Sequence, residues 1–199
     1  MFVPVVLASG SEIRAQLLRN AGVEIEIIKP RIDEDSVKEA LTASGAPPRD
    51  IADALAEGKS AKVAGKMTDR VVLGCDQVLA TKNGILSKPK TPEDVRKQLI
   101  NLRGQEHQLF SAAVIYDGGQ PVWRHVGAVR LGMKNFSDPY LDAYIERNWD
   151  DIRWSVGGYQ LEGEGVRLLS YIRGDYFTVL GIPLIEVLSY LTQRGTLPG

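Results

Sequence analysis

Cysteine and histidine, on which most zinc sites depend, are scarce in this chain. It contains one cysteine, Cys75, and two histidines, His107 and His125, among 199 residues. A lone cysteine excludes an internal disulfide, and the wide spacing of these side chains matches no zinc motif. The composition therefore suits a reducing compartment, and we expect a cytoplasmic protein.

Net charge is also almost absent. The chain has 24 basic and 25 acidic residues, which gives a formal charge of −1. Such a balance provides no general attraction to nucleic acid or to anionic membranes. No apolar run approaches the ~20 residues of a membrane span. We therefore expect no nucleic acid polymer and no membrane among the partners, and any anionic ligand must be held by a local cluster of cations.

Apolar residues are plentiful by contrast. They make up 44% of the chain, which is enough for a sizeable core in one domain or in two closely associated lobes. Helical and strand patterns follow one another without strict alternation. This mixture predicts an α/β fold whose sheet is mixed and partly antiparallel and is flanked by helices. We expect residues 1–199 to form a single domain with two lobes.

Local patterns predict most of the helices and strands. Val3 to Ala8 predicts a buried strand, and the helix after it is expected to be capped by Ser11 and ended by Gly22. A strand over 71–80 is expected to be broken or bent at residues 74–77, and Asn83-Gly84 predicts a hairpin. Further helices are predicted at 37–43, 48–64, from 91 onward, 137–147 and 183–193, and further strands at 23–28, 108–116, 122–133 and 166–172.

The first predicted strand leads directly into Ser9-Gly10-Ser11, and Arg14 follows one helical turn later. Unpaired N–H groups at a helix start carry partial positive charge, so this turn can present amides and two hydroxyls to a phosphate. Arg14 could reach the same anion. The ordinary alternative is that Ser11 only caps the helix and that Arg14 is solvated.

Acids and lysines elsewhere complete the inventory for metal-assisted attack on a polyphosphate. The acidic turn at residues 33–35 offers carboxylates to magnesium, and Asp76 lies within an apolar strand, where an unpaired carboxylate would be costly. Lys59 and Lys88 are candidate phosphate partners. The alternatives are a solvated turn, a structural aspartate bound by backbone N–H groups, and two surface lysines.

Seven motifs occur in the order found in the Maf family of nucleoside triphosphate pyrophosphatases, which the sequence resembles. They are LASGSEIRAQLL, IDE, LAEGKSAKV, GCDQV, SKP, RGQEHQLFSA and GDYFTVLGIPL. The resemblance covers nearly the whole chain and implies hydrolysis of a nucleoside triphosphate between its α and β phosphorus atoms. It also implies an active-site cleft between two lobes, a divalent metal such as Mg²⁺ or Mn²⁺, and a homodimer.

The resemblance implies a role for each matching cation and hydroxyl. Ser9, Ser11 and Arg14 would bind the triphosphate substrate, and Lys59 and Lys88 would neutralise further phosphate charge. Arg14 would also offset the charge that develops as pyrophosphate leaves.

Two acids take the remaining catalytic roles that the resemblance implies. Glu34 and Asp76 would hold the metal, and one of them would position or deprotonate the attacking water. Neither spacing nor chemistry assigns a catalytic role to His107, which we expect to be structural.

Two further residues are similar to the branch of 7-methyl-GTP pyrophosphatases rather than to the branch acting on dTTP and UTP. They are Gln77 and, in the late loop at residues 154–163, Glu162, and both are expected to bind substrate. A 7-methylguanine ring is positively charged, so Trp154 or Tyr159 could stack on it while Glu162 accepts from its edge. Alternatively, these residues only maintain the fold.

Three other functions stay open. The family is named for septum formation inhibition, so a nucleotide-binding regulator of cell division without turnover is one of them. A phosphatase that releases orthophosphate is another, and a dTTP or UTP pyrophosphatase is the alternative within the family. The reaction products and the preferred base distinguish these functions.

Overall fold

The structure, a computed structural model, describes residues 3–198. Its strands are β1 (Val5–Ala8), β2 (Ile25–Ile27), β3 (Val72–Thr81), β4 (Gly84–Leu86), β5 (Glu106–Asp117), β6 (Gln120–Met133) and β7 (Leu169–Arg173). Its helices are α1 (Glu12–Asn20), α2 (Glu34–Ala43), α3 (Pro48–Ala64), α4 (Pro92–Leu102), α5 (Asp138–Ile152), α6 (Tyr176–Val179) and α7 (Leu184–Gln193), with a 3₁₀ helix at Glu164–Leu168. The predicted α/β class is confirmed.

Parallel and antiparallel pairings occur in the same sheet. The strand order is β2-β1-β3-β5-β6-β7, and β4 pairs with β3. β1 pairs in parallel with β2 and β3, whereas the β3–β4 and β6–β7 pairs are antiparallel. The predicted mixed, partly antiparallel sheet is therefore confirmed. β2 lies on one side of β1 and β3 lies on the other, so the direction in which successive strands are added to the sheet reverses at β1.

The chain divides into two compact units. The first comprises Met1–Gln77, Ser111–Gly127 and Gly181–Gly199, and the second comprises Val78–Phe110 and Ala128–Leu180. The expected single domain with a cleft between two lobes stays a prediction. Within the described part of the chain, no helix has both the length and the apolar character required to cross a membrane.

The core of the first unit contains β1 and the buried face of α3. All four residues of β1 are buried, as their uninterrupted apolar sequence indicates. Along α3, Ile51, Leu55, Lys59 and Val63 recur every fourth residue, and all four are buried. Burying an apolar side chain of this size contributes roughly 1.5–3 kcal/mol. The same packing therefore holds one lysine, Lys59, within an otherwise apolar stripe.

The core of the second unit is an apolar cluster to which α4 and α5 contribute. Leu99 of α4 and Leu141 of α5 are fully buried in it. The start of α4 is a capping box, because the Thr91 hydroxyl accepts from the Asp94 N–H at 3.1 Å and the Asp94 carboxylate accepts from the Thr91 N–H at 2.9 Å. This reciprocal pair explains why the sequence Thr-Pro-Glu-Asp predicts the start of α4 correctly.

Several predicted boundaries are wrong. The first strand begins at Val5 rather than Val3, α2 begins at Glu34, and α5 continues to Ile152. The strand pattern of β3 is unbroken from Val72 to Thr81, so the predicted break at residues 74–77 is wrong. The glycine at position 74 serves helix packing instead, as described below.

Two elements near the end of the chain were not predicted. Residues 164–168 form a 3₁₀ helix, so the strand predicted from 166 begins only at Leu169. A Cβ at Gly165 would lie 2.5 Å from the carbonyl oxygen of Gln160, so this backbone is folded too tightly for an extended strand. The short helix α6 is capped by Asp175, whose carboxylate accepts from the Thr178 N–H at 2.6 Å.

Candidate active site

The turn between β1 and α1 has two serines at the carboxyl end of a central strand. Ser9 is buried, and its Oγ accepts from the Ser11 N–H at 3.2 Å. Ser11 is the N-cap residue of α1, but its side chain accepts no capping hydrogen bond. Capping by the Ser11 hydroxyl therefore does not explain this residue. Ligands of open α/β sheets bind where the strand order reverses, which is the position of this turn.

Arg14 lies one helical turn further along and is buried. Its Nε donates to the Gly181 carbonyl at 2.7 Å, and its Nη1 donates to the Cys75 carbonyl at 2.9 Å and to Ser9 Oγ at 3.3 Å. Among the described residues, no carboxylate forms an ion pair with Arg14. A buried guanidinium with only uncharged partners favours a bound anion beside it. The predicted alternative of a solvated arginine is therefore wrong.

Gly181 makes room for Arg14, a role that the sequence did not predict. Its φ is +100°, and a Cβ there would lie 3.1 Å from Arg14 Nε and Nη2. Only glycine adopts this backbone conformation without strain. The sequence signal for this role was the Gly-Ile-Pro segment within the last family motif. This segment has no titratable group, so a search for catalytic side chains passes over it.

Cys75 contributes its backbone rather than its thiol. The side chain is fully buried, and burial raises the pKa of the thiol to about 11. A neutral thiol is a poor nucleophile and a poor metal ligand. The residue therefore serves the site by presenting its carbonyl to Arg14.

Lys59 joins the two predicted acids. Its buried ammonium donates to Asp76 Oδ1 at 2.5 Å and lies 3.1 Å from Glu34 Oε1. The Asp76 side chain is only 9% exposed, whereas that of Glu34 is 40% exposed. Asp76 is therefore paired with a cation, and the alternative in which backbone N–H groups satisfy a structural aspartate is not needed.

Two neighbouring acids of the turn before α2 have different partners. Asp33 caps the helix, because its carboxylate accepts from the Ser36 N–H at 3.1 Å and from the Ser36 hydroxyl at 2.8 Å. The bond from the Ser36 N–H lowers the pKa of Asp33. Glu34, the next residue, reaches Lys59 instead. The pattern Asp-Glu-Asp did not indicate which acid would face Lys59.

Close packing between β3 and α3 brings Asp76 to Lys59. A Cβ at Gly74 would lie 2.3 Å from Ser60 Oγ and 2.5 Å from the Ala56 carbonyl oxygen, so any side chain would separate the strand from the helix. Ser60 Oγ lies 2.9 Å from both the Ala56 and the Val114 carbonyl oxygens, and its single hydroxyl proton can donate to either of them. Gly74 and Ser60 thus set the position of the acid, and the sequence reasoning did not assign this role to them.

Gln77 makes its contact away from Lys59. Its Nε2 donates to Ser111 Oγ on β5 at 3.0 Å, whereas the preceding residue, Asp76, contacts Lys59 on α3. This difference agrees with the alternation of side chains along a strand. A substrate contact by Gln77 stays a prediction.

The predicted residues of the first unit therefore form two groups. Ser9, Ser11 and Arg14 form one, and Lys59, Asp76 and Glu34 form the other. Consecutive residues of β3 join the groups, because Cys75 contacts Arg14 and Asp76 contacts Lys59. Anion-binding groups and acids thus occur together at one place in the fold.

Lys88 and Glu162 belong to the second unit. Lys88 is exposed and precedes the buried Pro89, and Glu162 is exposed in the late loop. Their participation in the same site as Arg14 stays a prediction. Within the described residues, no three of the side chains that commonly bind metals, His, Cys, Asp and Glu, are grouped closely enough to hold an ion.

The acids of the late-loop region have different environments. Glu164, just beyond the loop, accepts hydrogen bonds from Arg147 Nη2 at 2.7 Å and from Asn148 Nδ2 at 2.9 Å. The bond from Arg147 is the main reason that the pKa of Glu164 falls to about 2. Glu162 is exposed and has no ion pair among the described residues. Glu162 is thus the acid of this region that is available to a ligand.

The two aromatic candidates of the late loop also differ. Tyr159 is buried, and its hydroxyl lies 2.7 Å from Nε2 of the buried His107. Burial lowers the pKa of His107 to about 4, and its structural role stays a prediction. Trp154 is 67% exposed, with the Arg153 guanidinium 5.0 Å from its ring centroid. Stacking by Tyr159 is therefore ruled out by burial, and Trp154 keeps an accessible ring.

Two glycines of the late loop pack closely against apolar side chains. Gly157 and Gly158 have φ values of +83° and +70°, and a Cβ on either would lie 2.6 Å from the side chain of Leu79 or Val95. Both glycines thus allow the loop to pack on the apolar core of the second unit.

Comparison with known families identifies the chain. A family model described as "Maf-like protein" matches residues 4–194, which is almost the whole length. The match includes all the residues of both groups in the first unit as well as Lys88 and Glu162.

Several proteins resemble the chain along its full length. A protein of Ruegeria pomeroyi named nucleoside triphosphate pyrophosphatase is 59% identical over 197 residues and covers 99% of each chain. A protein of Roseobacter denitrificans with the same name is 59% identical over 195 residues, 98% of each chain. A Brucella abortus protein named 7-methyl-GTP pyrophosphatase is 42% identical over 199 residues, and the match covers each chain completely.

Proposed function

The chain belongs to the Maf family, and from this membership we propose that it hydrolyses a nucleoside triphosphate between the α and β phosphorus atoms. The products are the nucleoside monophosphate and pyrophosphate. The observation that carries the proposal is the position of Lys59, whose ammonium contacts both Glu34 and Asp76 beside the buried Arg14. Relatives at 59% identity named nucleoside triphosphate pyrophosphatase support the same reaction.

The serine turn and Arg14 bind the phosphate chain. The Ser9 and Ser11 hydroxyls and the first N–H groups of α1 provide donors at a helix N-terminus. Arg14 adds a fixed positive charge, because carbonyl oxygens of Gly181 and Cys75 orient its guanidinium. Charge that develops on the leaving pyrophosphate is stabilised by such a pre-oriented cation. Lys88 is proposed to supply a further positive charge to the phosphate chain.

Glu34 and Asp76 would hold a divalent cation such as Mg²⁺ or Mn²⁺. Two carboxylates together with substrate phosphates form the oxygen-rich ligand set that Mg²⁺ prefers, and both acids already lie within 3.1 Å of one cation, Lys59 Nζ. The donor set therefore fits the metal that the family implies. When bound, such an ion would neutralise phosphate charge and polarise the phosphate to be attacked.

Asp76 is the better placed of the two acids to orient the attacking water. Its carboxylate is buried and fixed by Lys59, whereas that of Glu34 is partly exposed. A fixed carboxylate oxygen accepts the water proton and aims the oxygen lone pair at phosphorus. Lys59 in turn holds the Asp76 carboxylate in place, with its ammonium 2.5 Å from Oδ1.

For the base, we propose a 7-methylated guanine. Relatives of the chain include proteins named 7-methyl-GTP pyrophosphatase. Glu162 offers an exposed carboxylate that has no ion pair among the described residues, and Trp154 offers an accessible aromatic face; both favour a cationic ring. Gln77 is proposed to bind the substrate as well.

Product identity tests this function against its alternatives. Wild-type protein is incubated with each nucleoside triphosphate and Mg²⁺, and the products are separated by anion exchange. Monophosphate with pyrophosphate supports the proposal. Release of orthophosphate with the nucleoside diphosphate supports a phosphatase, tight binding without turnover supports a regulator, and preference for dTTP or UTP overturns the proposed base.

Two properties of the whole protein belong to the same proposal. A cytoplasmic location suits the free Cys75 and the nucleotide substrate. A homodimer is the assembly that the family implies. Sedimentation equilibrium measures the assembly directly, and a monomer at micromolar concentration would contradict it.

A further inference from the structure

A concave surface of the first unit lies beside the serine turn. Its volume is about 470 Å³, within the usual range for small-molecule sites. It is lined by Ile28, Lys29, Pro30 and Arg31 after β2, and by Lys62, Val63, Lys66 and Met67 at the end of α3. We refer to these eight residues as the basic pocket.

The lining combines positive charge with an apolar floor. All four charged residues, Lys29, Arg31, Lys62 and Lys66, are cations, and all are exposed. None of these cations forms an ion pair with a carboxylate of the described residues. Ile28, Pro30, Val63 and Met67 are less exposed and make the apolar part. Four like charges around one concavity repel one another, so an anion bound between them would relieve the repulsion.

Helix electrostatics explain only part of this arrangement. Lys62 and Lys66 lie at the C-terminal end of α3, where cations interact favourably with the helix dipole. Lys29 and Arg31 follow a strand and gain nothing from that effect. The convergence of both pairs on one pocket therefore requires another explanation.

Lys29 links the basic pocket to the serine turn. A Cβ at Gly10 would lie 3.6 Å from Cδ of Lys29, so the aliphatic part of this lysine covers the turn. The parallel pairing of β1 with β2, extended by the Ile28 N–H bond to the Leu7 carbonyl at 3.0 Å, brings both segments to the same edge of the sheet. The pocket is thus adjacent to the phosphate-binding residues but is built from different side chains.

We propose that the basic pocket binds a nucleoside phosphate as a second ligand, separate from the triphosphate held by Ser9 and Arg14. The phosphate would lie among the four cations, and the base would cover the apolar floor. A bare inorganic phosphate would use the cations alone, and a nucleoside would use the floor alone. The pocket chemistry therefore selects a molecule that has both parts.

The probe is GMP, observed by NMR through the backbone amides of the uniformly labelled protein. We expect saturable shifts at residues 28–31 and 62–67, distinct from those at residues 9–14. In the double variant Lys62→Gln, Lys66→Gln, the dissociation constant from residues 28–31 should rise at least tenfold. The matched control, Lys90→Gln with Lys134→Gln, removes the same charge from two exposed lysines of the second unit and should leave the constant unchanged.

Two further probes test the ligand class. Guanosine and pyrophosphate should each bind the pocket at least tenfold more weakly than GMP. Pyrophosphate binding as tightly as GMP would overturn the nucleoside assignment, and so would the absence of saturable shifts at residues 28–31 and 62–67. An equal loss of GMP affinity in the pocket and control variants would show that only the overall charge of the protein matters. That result would also overturn the proposal.

Turnover separates this inference from the proposed function. The Lys62→Gln, Lys66→Gln variant should keep the wild-type kcat for the triphosphate, because neither lysine belongs to the catalytic groups. A wild-type protein without pyrophosphatase activity would contradict the proposed function alone. Absence of GMP binding at the pocket residues of the wild-type protein would contradict the second site alone.

Discussion

The ammonium of Lys59 lies 2.5 Å from Oδ1 of Asp76, and both side chains are less than 10% exposed. A buried ion pair of this kind adds little net stability, because desolvation of the two charges offsets most of their attraction. Removing one partner is nevertheless costly, since the other charge stays buried. The pair is therefore better explained by the chemistry of the site than by stability.

Asp76→Asn should abolish most metal-dependent turnover and leave the fold intact. The amide is nearly isosteric but cannot carry the charge that a metal or an attacking water requires. The free energy of unfolding should fall by about 1–3 kcal/mol, because Lys59 loses one of two partners. Denaturation curves and kcat at saturating Mg²⁺ measure both effects. The exposed Asp35→Asn serves as control, and a folded Asp76→Asn protein with wild-type kcat would exclude Asp76 from catalysis.

Gly181→Ala should weaken triphosphate binding through Arg14. The φ of Gly181 is +100°, so an alanine there strains the backbone. The added Cβ would lie 3.1 Å from Arg14 Nε and would displace the guanidinium. Gly195→Ala is the matched control, since its φ is +81° and a Cβ there has no neighbour within 4 Å.

Both glycine variants should lose about 1 kcal/mol of stability from backbone strain. Only Gly181→Ala should lose ~1.5–3 kcal/mol of affinity for the triphosphate, as expected for a charged hydrogen bond. Isothermal titration with a non-hydrolysable analogue measures the affinity. Equal affinities in the two variants would show that Arg14 does not contact the phosphates.

Residues close in sequence explain most of what could be predicted. Thr91-Pro92, Asn83-Gly84 and the apolar residues of β1 define local elements, because caps, turns and buried strands depend on neighbouring residues. Lys59 could have been recognised as buried, since it continues the apolar stripe of Ile51 and Leu55. The four-residue spacing from Leu55 to Lys59 thus indicated that this lysine is buried, which the family motif alone did not indicate.

Contacts between distant residues explain what the sequence did not predict. Arg14 is fixed by a carbonyl 167 positions away, and Gly74 is required by the packing of α3 on β3. Neither relationship has a periodic pattern. Tyr159 and Trp154 are equally aromatic in sequence, and only their exposure in the fold separates a core residue from an accessible one.

Glu162→Gln should reduce the preference for 7-methyl-GTP over GTP. The substitution keeps the shape of the side chain and removes the charge that favours a cationic base. We expect the ratio of the two kcat/KM values to fall by about one to two powers of ten, each worth ~1.4 kcal/mol. Glu146→Gln, another exposed glutamate, is the control. An unchanged ratio would leave Glu162 without a role in base selection.

The Glu164 ion pairs should make the stability of the protein sensitive to acid. The pKa of Glu164 is lowered from 4.5 to about 2 in the folded state, mainly by Arg147. The folded state therefore binds this proton less readily, so the stabilisation is complete above pH 4.5 and is lost as the pH falls towards 2.

The difference in the free energy of unfolding between wild type and Glu164→Gln measures this effect. It should be constant above pH 4.5 and should shrink below that value. If the difference in the free energy of unfolding stays constant down to pH 2, the charged form of Glu164 does not stabilise the protein.

The position of bond cleavage tests the central claim most directly. Hydrolysis of the triphosphate in ¹⁸O-labelled water, followed by mass spectrometry of the products, shows which phosphorus atom the water attacks. The account predicts one labelled oxygen in the nucleoside monophosphate and none in the pyrophosphate, at a rate that Asp76→Asn reduces severely. Label in pyrophosphate, or in orthophosphate released from the γ position, would contradict it.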